Sequence, residues 1–307
     1  MLIDAVITWV DGSDPDHARK MSAYLPNGVD YKPTSYSIDR FETADELSYC
    51  LRSIIAYAPW INKVWIVTDR QQPPISDSIS NNLKIEIVDH REIFGEFAYL
   101  LPTFSSVSIE TFLWRITGLQ ENFLYFNDDM GFCGKAEPTD FFRGNRVILR
   151  GWWGTYAEDE QGIWQNNQVN AALMMGYGRD NFFRDRHQIK ACKKSIFQDL
   201  FFRFRNEFER NASHRFRSAS QFLPIGIHDH AVHLAGIPAK PPKRKDWVHF
   251  SLKNCRFDGA DVIVPKLKQL ASGEKTLYCI NDLTQLKKRF PSCIEYLDRA
   301  MRVLPQA

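Results

Sequence analysis

Four short apolar runs, each closing on a polar turn, constrain this chain more than any other feature of its sequence. Residues 5–10 end in Asp11-Gly12-Ser13-Asp14-Pro15, residues 63–68 in Asp69, and residues 123–126 in Asn127-Asp128-Asp129, with residues 83–88 as the fourth run. Their length and β-branched content predict buried strands. Between them the apolar spacing becomes helical: Leu47, Leu51, Ile54 and Ile55 recur on one face within residues 44–56. A second helix is predicted from a Ser105 or Ser106 cap through Ile109, Leu113 and Ile116 to a stop at Gly118. Strands alternating with helices imply an α/β fold with a doubly wound, mostly parallel sheet. Ligands of such sheets bind beyond the carboxyl ends of the strands. Asp11, Thr68-Asp69 and Asn127-Asp128-Asp129 are therefore predicted to converge on one cleft.

The chain of 307 residues is long enough for one large domain, read here as two halves, 1–135 and 136–307. Residues 17–36 carry Pro26, Gly28 and Pro33 and are predicted to form a loop, while residues 143–179, rich in Trp, Gly and Asn, read as an insertion. Residues 193–210 mix Phe197, Leu200, Phe201, Phe204 and Phe208 with Lys194, Arg203, Arg205 and Arg210. That pattern is an aromatic core stripe, or, as the minor reading, a basic helix lying on an anionic membrane. A net charge of +2 speaks against a nucleic-acid binder. None of the six cysteines shows C-x-x-C spacing, which predicts buried reduced thiols in a cytoplasmic protein. The first run carries Asp4, lacks a basic leader and is too short to span a bilayer, and no later run is long enough. Neither export nor membrane insertion is expected.

Asp128-Asp129 offers two hard oxygen donors at a strand end, suited to Mg²⁺ or Mn²⁺ held against a diphosphate. The plain alternative is an Asx turn; the apolar strand before the pair favours the metal. Asp11 can accept from a ribose hydroxyl or a base, with Gly12 allowing close approach, or can be a turn and helix-capping acid. Both readings stay open. Arg40 and Arg52 flank the first helix as diphosphate clamps or as partners of Glu42 and Glu46. His187 lies in a stretch, Arg179 to Arg217, with eleven Lys/Arg and five Asp/Glu. Neighbouring cations favour the neutral imidazole that a general base needs, although a helix-capping role is the simpler one. His228, His230 and His233 have metal-like spacing, but the H-E-x-x-H pattern is absent and Val232, Leu234 and Ala235 mark a packed helix.

Read in order, these segments form a longer pattern. It begins with Ile3 to Pro15 and continues with Arg40-Phe41-Glu42, Leu51-Arg52-Ser53-Ile54, Ala58-Pro59-Trp60, Ile66-Val67-Thr68, Leu101 to Ser106, Ile109-Glu110 and Phe126-Asn127-Asp128-Asp129. His187 with Phe216-Arg217-Ser218, and then Cys279-Ile280-Asn281-Asp282 with Phe290-Pro291, complete it. The whole resembles the Stealth proteins, a family of bacterial capsule and exopolysaccharide phosphotransferases that includes the animal N-acetylglucosamine-1-phosphotransferase.

The resemblance implies a single catalytic domain over 1–307: a GT-A-like nucleotide-sugar-binding half in 1–135, and an insertion with a helical, acceptor-side catalytic half in 136–307. It implies transfer of a hexose-1-phosphate or N-acetylhexosamine-1-phosphate from a UDP-sugar to a hydroxyl of an oligosaccharide or lipid-linked glycan. The products are a phosphodiester and UMP. On this reading His187 is the general base, Arg217 stabilises phosphate, Asp11 and Asp129 are catalytic, and Asp128 and Asp129 hold the metal. Trp9, Arg40, Arg52, Thr68, Asn127, Asn281 and Asp282 are the expected substrate contacts. The enzyme is expected in the cytoplasm, with peripheral contact at the inner face of the plasma membrane. Three departures are visible: Ser105-Ser106 replaces a common Asn-Ser, Ile189-Lys190 replaces a usual Pro-His after His187, and Glu42-Thr43-Ala44 departs from a more acidic or amide-rich stretch. The alternatives are a metal-dependent glycosyltransferase releasing UDP and a non-catalytic glycan-binding protein.

Overall fold

A computed structural model describes residues 1–25, 45–157, 160, 162–241 and 245–302. The four predicted runs form strands β1 (Ile3–Thr8), β2 (Val64–Thr68), β3 (Ile85–Asp89) and β4 (Asn122–Asn127). All four are parallel, in the order β4-β1-β2-β3. The chain steps outward from β1 to β3 and then returns to the far side of β1. This reversal opens a crevice between the carboxyl ends of β1 and β4, which finish level because Thr8 is in register with Asn127.

Alternate residues of the strands build two cores. Ala5, Ile7, Val64, Ile66, Leu124 and Phe126 pack under Leu47, Leu51 and Ile54 of the helix Glu46–Tyr57. Val6, Trp65, Val67, Phe123 and Tyr125 face the other way, onto Phe94, Phe112, Phe197 and Phe201. Both faces are covered, which is why the strands read as continuous apolar runs rather than alternating ones.

β1 carries a buried charge. Asp4 is fully buried and accepts from Asn62 Nδ2 (2.8 Å), Trp65 Nε1 (2.9 Å) and the Gln120 backbone N–H (3.1 Å). Replacing it strands three donors, the buried Trp65 indole and the half-buried Asn62 and Gln120 groups. Asp4→Ala is predicted to lower stability by about 3 kcal/mol, seen as a reduced urea midpoint at unchanged slope; a midpoint like wild type would show that the donors find other partners.

Three local expectations change. The residues read as a loop begin with a helix, Pro15–Ser22, started by Pro15 and capped by the Asp14 side chain accepting from Asp16 N–H. The predicted 105–118 helix is only Ser106–Glu110, followed by a 3₁₀ turn at Leu113–Arg115. Thr111 Oγ1 donates back to the Val107 carbonyl at the break, a bond that competes with helix continuation. Residues 194–212 form two helices, Lys194–Arg203 and Arg205–Ala212, and their stripe of Phe197, Leu200, Phe201 and Phe208 is core.

After the Asp128-Asp129 turn, β5 (Met130–Phe132) leaves the sheet, and β6 (Phe142–Arg143) and β7 (Arg146–Ile148) make a hairpin. Next, β8 (Gly151–Gly154) and β9 (Phe182–Asp185) form a separate antiparallel ribbon, and β10 (Lys190–Lys193) returns antiparallel to β4 as the fifth strand of the main sheet. β11 (Pro238–Ala239) adds to β7. Finally β12 (Trp247–Phe250) and β13 (Leu277–Ile280) join β5 in a small sheet. Helices Ala260–Ala271, Leu283–Arg289 and Cys293–Arg302 cover that sheet with a third core around Phe250, Ile263, Leu267 and Leu286. A Cβ on Gly131 would lie 2.5 Å from the Tyr278 ring, so the β5–β13 contact requires glycine. All six cysteines are buried and unpaired, and no described helix is long and apolar enough to cross a membrane.

Candidate active site at the sheet reversal

The turn after β4 is gripped from two sides. The Ile280 backbone N–H donates to the Asp129 carbonyl at 2.9 Å, tying the turn to β13. His187, in the link between β9 and β10, brings Nε2 to 3.3 Å from Asp129 Oδ2. Cys279 Sγ stands 3.7 Å from the same oxygen and donates to Asn281 Oδ1 at 3.2 Å. One ligand atom each from Asp129, His187 and Cys279 lie within 4.8 Å of one another.

The second carboxylate oxygen of Asp129 is buried without a hydrogen-bond partner among the described residues. Burial, then Asp129 and then Glu46, push the Asp128 carboxyl well above the ordinary carboxylate range. Asp128 is desolvated beside a second carboxylate. Hard oxygen donors in that condition fit a divalent cation such as Mg²⁺ or Mn²⁺. Burial, reinforced by Asp129, also raises the Cys279 thiol far above its usual value, so it acts as an S–H donor.

Arg217 lies in electrostatic reach of Asp129. Its Nη2 donates to Ser106 Oγ at 2.7 Å, so the second serine of the Ser105-Ser106 departure holds the guanidinium. Burial lowers the Arg217 pKa from its ordinary value, opposed by Glu110, Tyr125 and Asp129. Glu110 is buried, and its pKa is raised to about 7, chiefly by burial and against the pull of Arg217 and of a Tyr125 hydrogen bond. The Tyr125 hydroxyl lies 3.1 Å from Glu110 Oε1 and donates to Asn127 Oδ1 at 2.7 Å; Thr8 Oγ1 donates to the same Asn127 oxygen at 3.2 Å. A polar chain thus links Arg217 to the end of β4.

The Glu110 shift has a definite sign. A carboxyl whose folded pKa is raised binds more protons folded than unfolded between about pH 4.5 and 7, so its contribution to stability is present below that window and lost as pH rises through it. Relative to Glu110→Gln, the wild-type melting temperature is predicted to fall between pH 5 and pH 8. Parallel profiles for the two proteins would refute the shift.

The other predicted residues divide. Asp11 Oδ1 accepts from Ser13 N–H (2.8 Å) and Ser13 Oγ (2.6 Å), and Gln71 clamps its backbone through both N–H and C=O. Thr68 Oγ1 donates to that Gln71 at 3.3 Å, and so acts on Asp11 through it. Helix capping here falls to Asp14, not Asp11. Trp9 is 6% exposed within the sheet core. Arg52 pairs with Asp298 at 3.1 Å and lies over Tyr49, one of the residues that, with Glu46, Asp128, Asp129 and Tyr278, surround a small cavity at the acids. Asn281 Oδ1 accepts from His249 Nε2 at 2.8 Å beside the Asp129 cluster. Asp282 is spent on capping the Leu283–Arg289 helix and on Arg256 Nε at 2.7 Å. Arg40 falls outside the described residues.

The cationic surround expected for His187 is directed elsewhere: Arg184 and Arg186 lie over Trp152, and the histidine's charged neighbour is Asp129. His228 and His230 are structural. Their Nε2 atoms accept backbone N–H groups of Lys193 and Phe183, and their Nδ1 atoms face Asp229 and the Gly226 carbonyl. Glu110, Tyr125, Gln71 and His249 were not singled out from the sequence as site residues. Of these, only Glu110 carries a visible signal, an acid inside an apolar helical stretch.

Sequence comparison finds the profile of Stealth conserved region 1 over residues 1–29 and that of Stealth conserved region 2 over residues 40–149. An exopolysaccharide phosphotransferase of Streptomyces coelicolor is 31% identical over 296 residues, 91% of this chain and 47% of that protein. A capsular polysaccharide phosphotransferase of Actinobacillus pleuropneumoniae is 42% identical over 147 residues, 47% of this chain and 39% of that protein. The chain spans under half the length of these curated relatives. Among solved structures, the galactosyltransferase LgtC in complex with donor and acceptor sugar analogs aligns at TM-score 0.45 and 12% identity, covering 99% of this chain and 97% of that one. Mouse xyloside xylosyltransferase 1 aligns at TM-score 0.46 and 9% identity, covering 92% and 99%.

Proposed function

The chain belongs to the Stealth protein family, and from that premise we propose that it transfers hexose-1-phosphate from a UDP-sugar to a hydroxyl of a glycan acceptor, releasing UMP. The observation that carries this reading is the pairing of His187 with Asp129 at 3.3 Å, in electrostatic reach of Arg217, beside the sheet reversal. A base, a phosphate-binding cation and a metal-suited acid pair are the groups that phosphoryl transfer needs.

The acceptor oxygen attacks the phosphorus that bears the sugar; the new O–P bond forms as the bond to the UMP oxygen breaks. With Nε2–H donated to Asp129, His187 Nδ1 carries the lone pair that takes the acceptor proton. Asp129 then faces the resulting imidazolium and stabilises it, as an orienting carboxylate does in other histidine-based sites. Arg217, already held by Ser106, meets the charge on the phosphoryl oxygens without reorganising. A divalent cation held by Asp128 and Asp129 would neutralise the diphosphate when bound. The bond between sugar and phosphate is never broken, so the anomeric configuration of the donor persists in the product.

Incubation with a panel of UDP-sugars and a capsular or lipid-linked oligosaccharide tests the proposal. UMP and a ³¹P phosphodiester signal are the expected products. UDP together with a new glycosidic bond would make the enzyme a glycosyltransferase, and no turnover with any donor would leave a glycan-binding protein.

A further inference from the structure

Arg186 stands one residue before the proposed base, yet its guanidinium forms no hydrogen bond or ion pair among the described residues. It lies over two rings instead, 5.0 Å from the centroid of Trp152 and 5.7 Å from that of Trp247. Stacking fixes a guanidinium through its faces and leaves the N–H donors at its edge available. Inward, Trp247 stacks on His249 at 4.6 Å, His249 bonds Asn281, and the Cys279 thiol connects Asn281 with Asp129. Outward, Trp152 is 41% exposed on β8, directly opposite Arg184 of β9, whose guanidinium is 4.8 Å from the same ring. An aromatic and cationic strip, Trp152, Arg186, Trp247 and His249, therefore runs inward from the surface and is joined to Asp129 through Asn281 and the buried Cys279 thiol.

Given the hexose-1-phosphate reading, the geometry points to this strip as the receptor for the acceptor chain, with Arg186 binding a phosphodiester already present in that chain. The tryptophans present flat apolar surface to the C–H faces of the adjoining sugars. The donor diphosphate is the other source of phosphate, but the crevice suited to it lies between β1 and β4. Arg186 follows the β8–β9 ribbon, which shares no strand with the main sheet. Each turnover makes a new phosphodiester, the group the strip binds, so extension of a chain outpaces its first addition.

R186A and R186K would be assayed against an oligomer of hexoses joined by phosphodiesters and against a glycosidically linked oligomer of equal length. In R186A the KM for the phosphodiester oligomer is expected to rise about tenfold or more, the loss of a charge-assisted hydrogen bond. R186K should recover part of that loss, while the KM values for donor and neutral oligomer stay near wild type. A raised donor KM with unchanged acceptor KM would assign the strip to the donor, and equal losses on both acceptors would remove phosphate recognition; either overturns the inference. Tryptophan fluorescence titration with the phosphodiester oligomer alone separates this question from the proposed reaction. Quenching in wild type that is lost in R186A sustains the strip even if no UMP is ever released, and absence of binding to wild type refutes it.

Discussion

Replacing His187 with alanine is expected to lower turnover by about 10³-fold or more while UDP-sugar binding stays close to wild type. The asymmetry follows from where the ring stands. Its Nε2 faces Asp129 and its ring packs edge-on against Trp164, with centroids 5.8 Å apart, so the side chain is oriented for proton transfer by contacts to the acid turn rather than to Asp11. Single-turnover rates at saturating donor, together with equilibrium binding of a UDP-sugar, separate the two contributions. Weak donor binding with chemistry preserved at saturation would move His187 from the acceptor side to the donor side.

Asp129→Asn is expected to act twice. An amide can present its N–H to His187 and so favour the wrong imidazole tautomer, a change that costs about 10⁴-fold in a comparable triad. It also removes one of two carboxylates suited to the cation, so the Mg²⁺ or Mn²⁺ concentration for half-maximal activity should rise together with the fall in kcat. Asp128→Asn, which leaves the histidine contact intact, should show the metal effect with the smaller loss of kcat. Activity that resists a chelator in wild type would end the metal assignment for both acids.

The sheet was legible because its strands are covered on both faces. Ile7, Ile66 and Phe126 belong to one core and Val6, Val67 and Tyr125 to the other, so the runs stand out as unbroken apolar stretches. Their polar endings then located Asp11, Thr68 and Asn127 at one edge by topology alone. Arg217 came from family resemblance, and only that resemblance raised His187 above its helix-capping reading, since nothing in periodicity distinguishes a reacting histidine from the structural His228 and His230. Tyr125 was hidden because a polar network built into a core has the same spacing as packing, and Glu110 showed only as an acid within an apolar helical stretch. The separate fates of Asn281 and Asp282, one beside the cluster and one spent on a helix cap and Arg256, depend on side-chain direction at a strand end. The expected basic setting of His187 failed for a related reason: charge counted along the chain ignores the tryptophans that draw Arg184 and Arg186 aside.

The antiparallel pairing of β5 with β13 also has a consequence for biosynthesis. Cys279 and Asp129 are 150 positions apart, so the strand that steadies the acid turn leaves a ribosome well after the turn itself. The four parallel strands can assemble on the nascent chain, but the pocket at the acid turn stays unfinished until β13 has been made. Premature termination before residue 277 should therefore leave the acid turn without its β13 support even where the four parallel strands have formed.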